Sequence, residues 1–292
     1  MMSSVELAFR INSCVGEGPL WDDKSQTLFW IDVLDGKVFN FNPITQKNGE
    51  IEIGKHVGAI ALIDASEIVA AARDEIVSID LSNSSITSVV RVINNERFRF
   101  NDGRVDARGR FVVGSMGYEP KPGTASLYSI TLPKTIDTVL GNVGLSNGLC
   151  WSEDNKKLFY IDTLTSEVAE YSYDLETGRV SNRRTVISFD TSHGSPDGMT
   201  IDRDGNLWVA FWGGGCLRRI SQRGKVISEI KLPVSRVTSA AFGGENFDRL
   251  FITTASYLLS EEELAREPLA GSLFVLETDT QGFPEHRIKL HQ

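Results

Sequence analysis

Short apolar runs alternate with polar clusters along most of the chain, and the alternation recurs. The segment Gly18-Pro-Leu-Trp-Asp-Asp-Lys-Ser-Gln-Thr-Leu-Phe-Trp-Ile-Asp32 aligns without a gap with Gly148-Leu-Cys-Trp-Ser-Glu-Asp-Asn-Lys-Lys-Leu-Phe-Tyr-Ile-Asp162. Weaker copies begin at Gly58, Gly103, Gly198 and Ala240. Each copy reads as an apolar strand, a polar turn built from Asp, Asn or Gly, and a second apolar strand, which is the signature of a β-hairpin. Alternating stretches follow at residues 37–42, 126–130, 167–173 and 271–276, so each repeat holds about four strands.

The six anchors are spaced by 40, 45, 45, 50 and 42 residues. Four strands per forty-odd residues is the period of a propeller blade. The pattern therefore predicts an all-β, six-bladed β-propeller occupying residues 1–292 as one domain. Val5, Leu7, Phe9 and Ile11 alternate ahead of the first anchor and are expected to complete the last blade, which removes the exposed sheet edge at the join. A helix is expected only near residues 259–265, where Ser260 and Glu263 have capping-box spacing. No Pro/Gly/Ser-rich linker or charge run divides the chain.

Composition narrows the function classes. With 39 acidic and 30 basic side chains the formal charge is −9, which leaves no basic stripe for nucleic acid or an anionic membrane. The N-terminal sequence lacks a signal-peptide pattern and no window approaches a membrane span, so a cytoplasmic protein is expected. Cys14, Cys150 and Cys216 are far apart with no C-x-x-C spacing, and read as reduced core thiols.

In a propeller, equivalent residues of the inner strands converge on the central axis. The residues just before the anchors are Glu17, Val57, Asp102, Asn147, Asp197 and Ser239, with Asn101 one place earlier in the third repeat. Asn-Gly and Asp-Gly are favoured turn pairs, so each of these alone fits a simple turn. Glu-Gly is not such a pair. Glu17, Asn147 and Asp197 share one topological position in three blades, where repulsion between Glu17 and Asp197 would be relieved by a shared metal in the central channel. An all-oxygen ligand set suits one hard divalent cation such as Ca²⁺, Mg²⁺ or Mn²⁺, and Zn²⁺ or Fe²⁺ also fits with water completing the shell. Three protein ligands leave open positions, as catalytic sites do.

The ordered set Gly16-Glu17-Gly18-Pro19-Leu20-Trp21, Arg99-Phe100-Asn101-Asp102-Gly103, Ser146-Asn147-Gly148 and Pro196-Asp197-Gly198-Met199 resembles the gluconolactonase/regucalcin (senescence marker protein) family over nearly the whole chain. The resemblance implies a six-bladed propeller with one divalent metal in its channel and hydrolysis of a small-molecule sugar lactone. It implies Glu17, Asn147 and Asp197 as metal ligands, Asp197 also as general base, and Arg99, Asn101 and Glu119 as substrate-facing residues. Tyr118 stands where an acidic residue is expected in the animal members, which bears on hydroxyl specificity. The base is either Asp197 itself or, if Asp197 chiefly holds the metal, a metal-held hydroxide. The alternatives are a phosphotriesterase-like hydrolase on the same site and a non-enzymatic calcium-binding propeller platform. Neither the particular lactone nor the oligomeric state is legible in these residues.

Two other features carry less. Gly144-Leu-Ser146-Asn-Gly148 fits the G-x-S-x-G nucleophile elbow, but no helix pattern follows it. His193 precedes the Asp197 segment and reads as a solvated loop residue, and Gly213-Gly-Gly215 reads as a tight turn between strands.

Overall fold

The computed structural model describes residues 4–290. Six four-stranded antiparallel sheets are arranged as blades around an axis. Blade 1 runs from the axis outward through Gly16–Asp22, Thr27–Asp32, Lys37–Phe41 and Asn48–Glu52, each strand hydrogen-bonded to the next. Blades 2 to 5 repeat this order, starting from the inner strands Val57–Leu62, Phe98–Val105, Ser146–Trp151 and Ser195–Ile201. Blade 6 has Val237–Gly243 innermost, and its outermost strand is the N-terminal Glu6–Phe9, paired with Leu273–Glu277. The ring is thus closed by the alternating N-terminal stretch, as its pattern predicts. The inner strands touch one another in a complete circle.

The apolar alternation of each blade is satisfied by its neighbours. Six hydrophobic clusters lie one at each junction between adjacent blades, such as Leu20, Ile31, Val38, Ile60, Ile68 and Ile79 between blades 1 and 2. Both faces of each sheet are therefore buried near the axis, which is why the inner strands are almost continuously apolar. At the closing junction Trp21 stacks on Phe251 with ring centroids 5.4 Å apart. Outer strands such as Thr135–Val143 and Arg179–Ser188 are largely exposed, and the latter is mostly polar. The helix Glu261–Arg266 forms with Ser260 as its N-cap in a full capping box. Gly213 and Gly215, both at positive φ, turn the chain between Leu207–Trp212 and Cys216–Ile220. Cys150 and Cys216 are core thiols, whereas Cys14 is only half-buried, and none is in a disulfide.

Residues 278–290 have no strand pattern, yet they are fixed. They strap the end of the channel away from the first residues of the inner strands. Gly282 donates to Phe247 O at 2.8 Å, Ile288 to Leu62 O at 2.8 Å and Lys289 to Gly109 O at 3.2 Å, tying blades 6, 2 and 3 together. Ile288 is buried among the residues between blades 2 and 3. Glu285 turns inward to Arg104 at 3.3 Å beside Asp102, closing the floor of the channel with an ion pair.

Candidate functional site

Every inner strand carries a register shift at the repeat anchor, between Glu17 and Leu20, Val57 and Ala59, Phe100 and Gly103, Ser146 and Leu149, Pro196 and Met199, and Val237 and Ser239. The Asp-Gly and Asn-Gly pairs are therefore bulges inside strands, not turns. A bulge re-aims a side chain out of the regular alternation, and here it does so six times around the axis. The glycines at the bulges of blades 4 and 5 also permit close approach. A Cβ on Gly148 would lie 2.7 Å from Asp197 O, and one on Gly198 would overlap Ser239 Oγ. Only a residue without a side chain lets successive inner strands converge this tightly.

The entry to two of these strands is clamped by a carboxylate from the same blade. Asp32 accepts the N–H groups of Cys14 at 2.6 Å and Val15 at 3.2 Å. Its repeat equivalent, Asp162, accepts those of Gly144 at 2.8 Å and Leu145 at 2.9 Å. These two aspartates satisfy backbone donors that would otherwise be stranded, and they set where Glu17 and Asn147 enter the channel.

A chain of hydrogen bonds then crosses three blades. Arg99 Nη1 donates to Phe100 O at 2.8 Å and to Asn101 Oδ1 at 2.9 Å. Asn101 Nδ2 donates to Asn147 Oδ1 at 3.1 Å and to Ser146 O at 2.8 Å. Asn147 Nδ2 donates to Thr163 Oγ1 at 2.8 Å, and Thr163 donates to Pro196 O, next to Asp197, at 2.8 Å. Thr163 thus holds one N–H of the Asn147 amide and fixes its orientation, with the amide oxygen accepting from Asn101.

Glu17, Asn147 and Asp197 are all buried. Burial, and then the negative charges of Asp197 and Asp102, push the Glu17 carboxyl well above its ordinary range, against hydrogen bonds from Gly18 and Ser239. Burial and Asp102 push Asp197 up likewise, opposed only by the Asn147 amide. Asp102 itself is raised to about 6, chiefly by burial, with Arg104 pulling the other way. The Gly18 N–H donates to Glu17 Oε2 at 2.5 Å. Glu17 Oε1, by contrast, is buried without a hydrogen-bond partner among the described residues. An unpartnered carboxylate oxygen in a field of like charge, with a second buried carboxylate that an amide touches, is a donor set that fits a hard cation. Among the described residues no three His, Cys, Asp or Glu side chains form a metal-holding group, so such a site rests on two carboxylates and an amide.

Around the mouth, burial lowers Arg99 to about 10, while Tyr118, Tyr257 and Glu17 nearby favour its charge. His56 Nδ1 lies 3.0 Å from the Tyr118 hydroxyl. Glu119, one residue on, is not drawn in: its side chain is 89% exposed and faces Lys121 at 3.7 Å. Ser146 is no nucleophile, because its hydroxyl is buried against Gly114 and accepts from Tyr160 at 2.7 Å, at the start of a strand. His193 is exposed on a short 3-10 turn. The residues that sequence reasoning passes over are Thr163, Asp32 and Asp162. The strongest repeat alignment contains both aspartates, and their identity in its two copies is the signal that would have found them.

The SMP-30/Gluconolactonase/LRE-like region matches residues 15–256. A regucalcin from Danio rerio is 38% identical over 286 residues, covering 97% of both chains. A Bacillus subtilis (strain 168) protein named as a candidate sugar lactone lactonase, YvrE, is 37% identical over 271 residues, covering 92% of this chain and 93% of its own. Among solved structures, the calcium-binding protein regucalcin from Agrobacterium tumefaciens strain C58 superposes with a TM-score of 0.94 over 99% of this chain and 98% of its own, at 24% identity, a likeness of fold. The closed six-bladed ring, the four matching segments and a family match spanning most of the chain together make this protein a member of the SMP-30/gluconolactonase/LRE-like family.

Proposed function

We propose that this protein hydrolyses a sugar lactone to its sugar acid, using one divalent cation held by Glu17, Asn147 and Asp197. The observation that carries this reading is the pair of buried carboxylates, Glu17 and Asp197, each raised by burial and by negative charge, with Glu17 Oε1 left unpartnered. Family membership and the name of the Bacillus subtilis relative support the substrate class. A cation bound there supplies Lewis acidity toward the lactone carbonyl.

The chain's own residues do the rest. Asp197 takes the proton of the attacking water, since burial and Asp102 raise its basicity and oppose the drop that cation binding imposes. Arg99 and Asn101, joined at 2.9 Å, orient the ring hydroxyls. The same hydrogen-bond chain holds the Asn147 amide in one orientation through Thr163. The Arg104–Glu285 pair and the C-terminal strap close the floor, so substrate and water enter from the Arg99 end. Glu119, out in solvent, makes no contact with substrate in this arrangement.

A pH-stat assay of aldonolactones with Ca²⁺, Zn²⁺, Mn²⁺, Mg²⁺ or Fe²⁺ tests the proposal. Turnover is expected with at least one cation, and Asp197→Ala is expected to lower it by at least about a hundredfold. Absence of lactone turnover with every cation contradicts the proposal, and phosphotriester hydrolysis in its place would favour the phosphotriesterase-like alternative.

A further inference from the structure

The floor of the channel is a thin wall between two spaces. On its inner side lies a cavity whose lining includes Gly18, Ser239, Asp102, Arg104, Glu285 and His286. The cavity offers about 20 Å³ to water-sized occupants, more than the roughly 10–15 Å³ that one water molecule needs. On the outer side a groove of about 260 Å³ is lined by Arg104, Val105, Glu285 and His286 again, together with exposed residues such as Glu153 and Pro284. Glu285 and His286, adjacent in the C-terminal strap, therefore line both spaces.

The cavity reaches up to the candidate cation site. Gly18 follows Glu17, and the Ser239 side chain hydrogen-bonds the Glu17 carboxyl. A Cβ on Gly198, next to Asp197, would overlap Ser239 Oγ, so the entry of the Asp197 strand rests on the same serine. Asp102 lies in the bulge of blade 3, as Glu17, Asn147 and Asp197 lie in the bulges of theirs. Four consecutive residues of that inner strand, Asn101 to Arg104, are only partly buried. The inner strands of blades 2, 4 and 6 are buried throughout, so the accessible surface marks an interior space on the blade 3 side.

Glu285 is held unlike the acids that brace this fold. Asp106 and Asp202 each accept an arginine Nε at 2.7 Å. Glu285 accepts no hydrogen bond among the described residues and has only Arg104 Nη2 at salt-bridge distance, 3.3 Å away, while Arg104 Nη1 donates to Thr200 Oγ1 at 3.3 Å. Asp102 lines the inner cavity with it, and the next residue, His286, is exposed to solvent. A carboxylate not locked by a guanidinium, followed by an exposed imidazole, can hand protons across a wall that excludes a sugar.

Lactone hydrolysis joins the water oxygen to the acyl carbon, breaks the bond from that carbon to the ring oxygen and puts one water proton on the ring oxygen. The new acid then ionises, so each turnover releases one proton inside the channel while product still occupies the mouth. Resting on the lactonase reading, we propose that this proton leaves through the floor: cavity water delivers it to Glu285, which passes it to water at His286 and the outer groove. Sugar and proton thus use opposite ends of the channel.

The experiment measures kcat and KM for gluconolactone with cation-loaded wild type, Glu285→Gln and His286→Ala. Imidazole, a small proton carrier, is raised at fixed pH, ionic strength and free cation concentration. Glu285→Gln keeps the size of the side chain, and His286→Ala leaves the Arg104–Glu285 pair in place. In weak buffer Glu285→Gln is expected to lose at least about tenfold in kcat with KM unchanged, and His286→Ala to lose less. Imidazole should restore both while leaving the wild type unaffected, a response that a merely structural role of the floor would not give. Rates equal to wild type in both variants, or losses that imidazole does not restore, overturn the proposal. A wild type that hydrolyses no lactone overturns the lactonase reading and this proposal with it, whereas an active wild type with indifferent variants overturns this proposal alone.

Discussion

Carboxylates in this protein divide by what meets them. Asp106, Asp202 and Asp22 each face an arginine and hold turns together, whereas Glu17, Asp102 and Asp197 face one another. Asp102 shows the consequence most plainly. Its carboxyl is raised to about 6, so between about pH 4 and pH 6 the folded, cation-free protein keeps a proton that the unfolded chain has released. Stability therefore falls as pH rises through that window. Cation-stripped Asp102→Asn should melt a few degrees above stripped wild type at pH 7.5, with the gap closing at pH 4.5; a gap constant across pH contradicts the assignment. Thr163→Val should leave the fold intact but weaken cation affinity roughly ten- to a hundredfold, because the Asn147 amide loses its orienting partner. Unchanged affinity by calorimetry would show that Asn147 is not a ligand. Glu17, Asn147 and Asp197 were legible in the sequence because the repeat places them at one position in three blades. Thr163 was not, since its partners belong to blades 4 and 5 and no local pattern marks a hydrogen bond across them.

At the scale of the strand, the bulge is what converts a structural repeat into a site. The hairpins were readable from alternation, but their bulges were not, because Asp-Gly and Asn-Gly signal turns as strongly as they signal bulges. Tertiary approach decides between the two. Gly148 faces the backbone of Asp197 and Met199 in the next blade, so Gly148→Ala forces adjacent inner strands apart and should cost about 1–3 kcal/mol in urea unfolding. A Cβ added at Gly141 would meet nothing within 4 Å, and Gly141→Ala is the control expected to be near neutral. Equal effects at the two positions would show that the tight convergence is not what requires glycine.

The whole molecule is closed twice. The N-terminal strand Glu6–Phe9 completes blade 6, and the C-terminal strap spans the floor of the channel. The first closure was legible as alternation ahead of the first anchor. The second was invisible, since residues 278–290 pair with loops and single carbonyls and have no periodicity. Ile288 is the strap's apolar anchor, and Ile288→Ala should destabilise the protein by about 2–4 kcal/mol despite lying near the chain end. A loss of a few tenths would mean the strap is only laid on the surface. The ring brings three strand entries together at the axis, each with one of Glu17, Asn147 and Asp197 at its bulge, and the central claim is that a divalent cation belongs among them. The most direct measurement is a calorimetric titration of chelator-stripped protein with each cation, with lactone hydrolysis read in the same samples. One site per chain is expected, with activity rising in proportion to occupancy and neither binding nor activity in Asp197→Ala. Full hydrolysis by the stripped protein, or occupancy undiminished in that variant, would contradict the account.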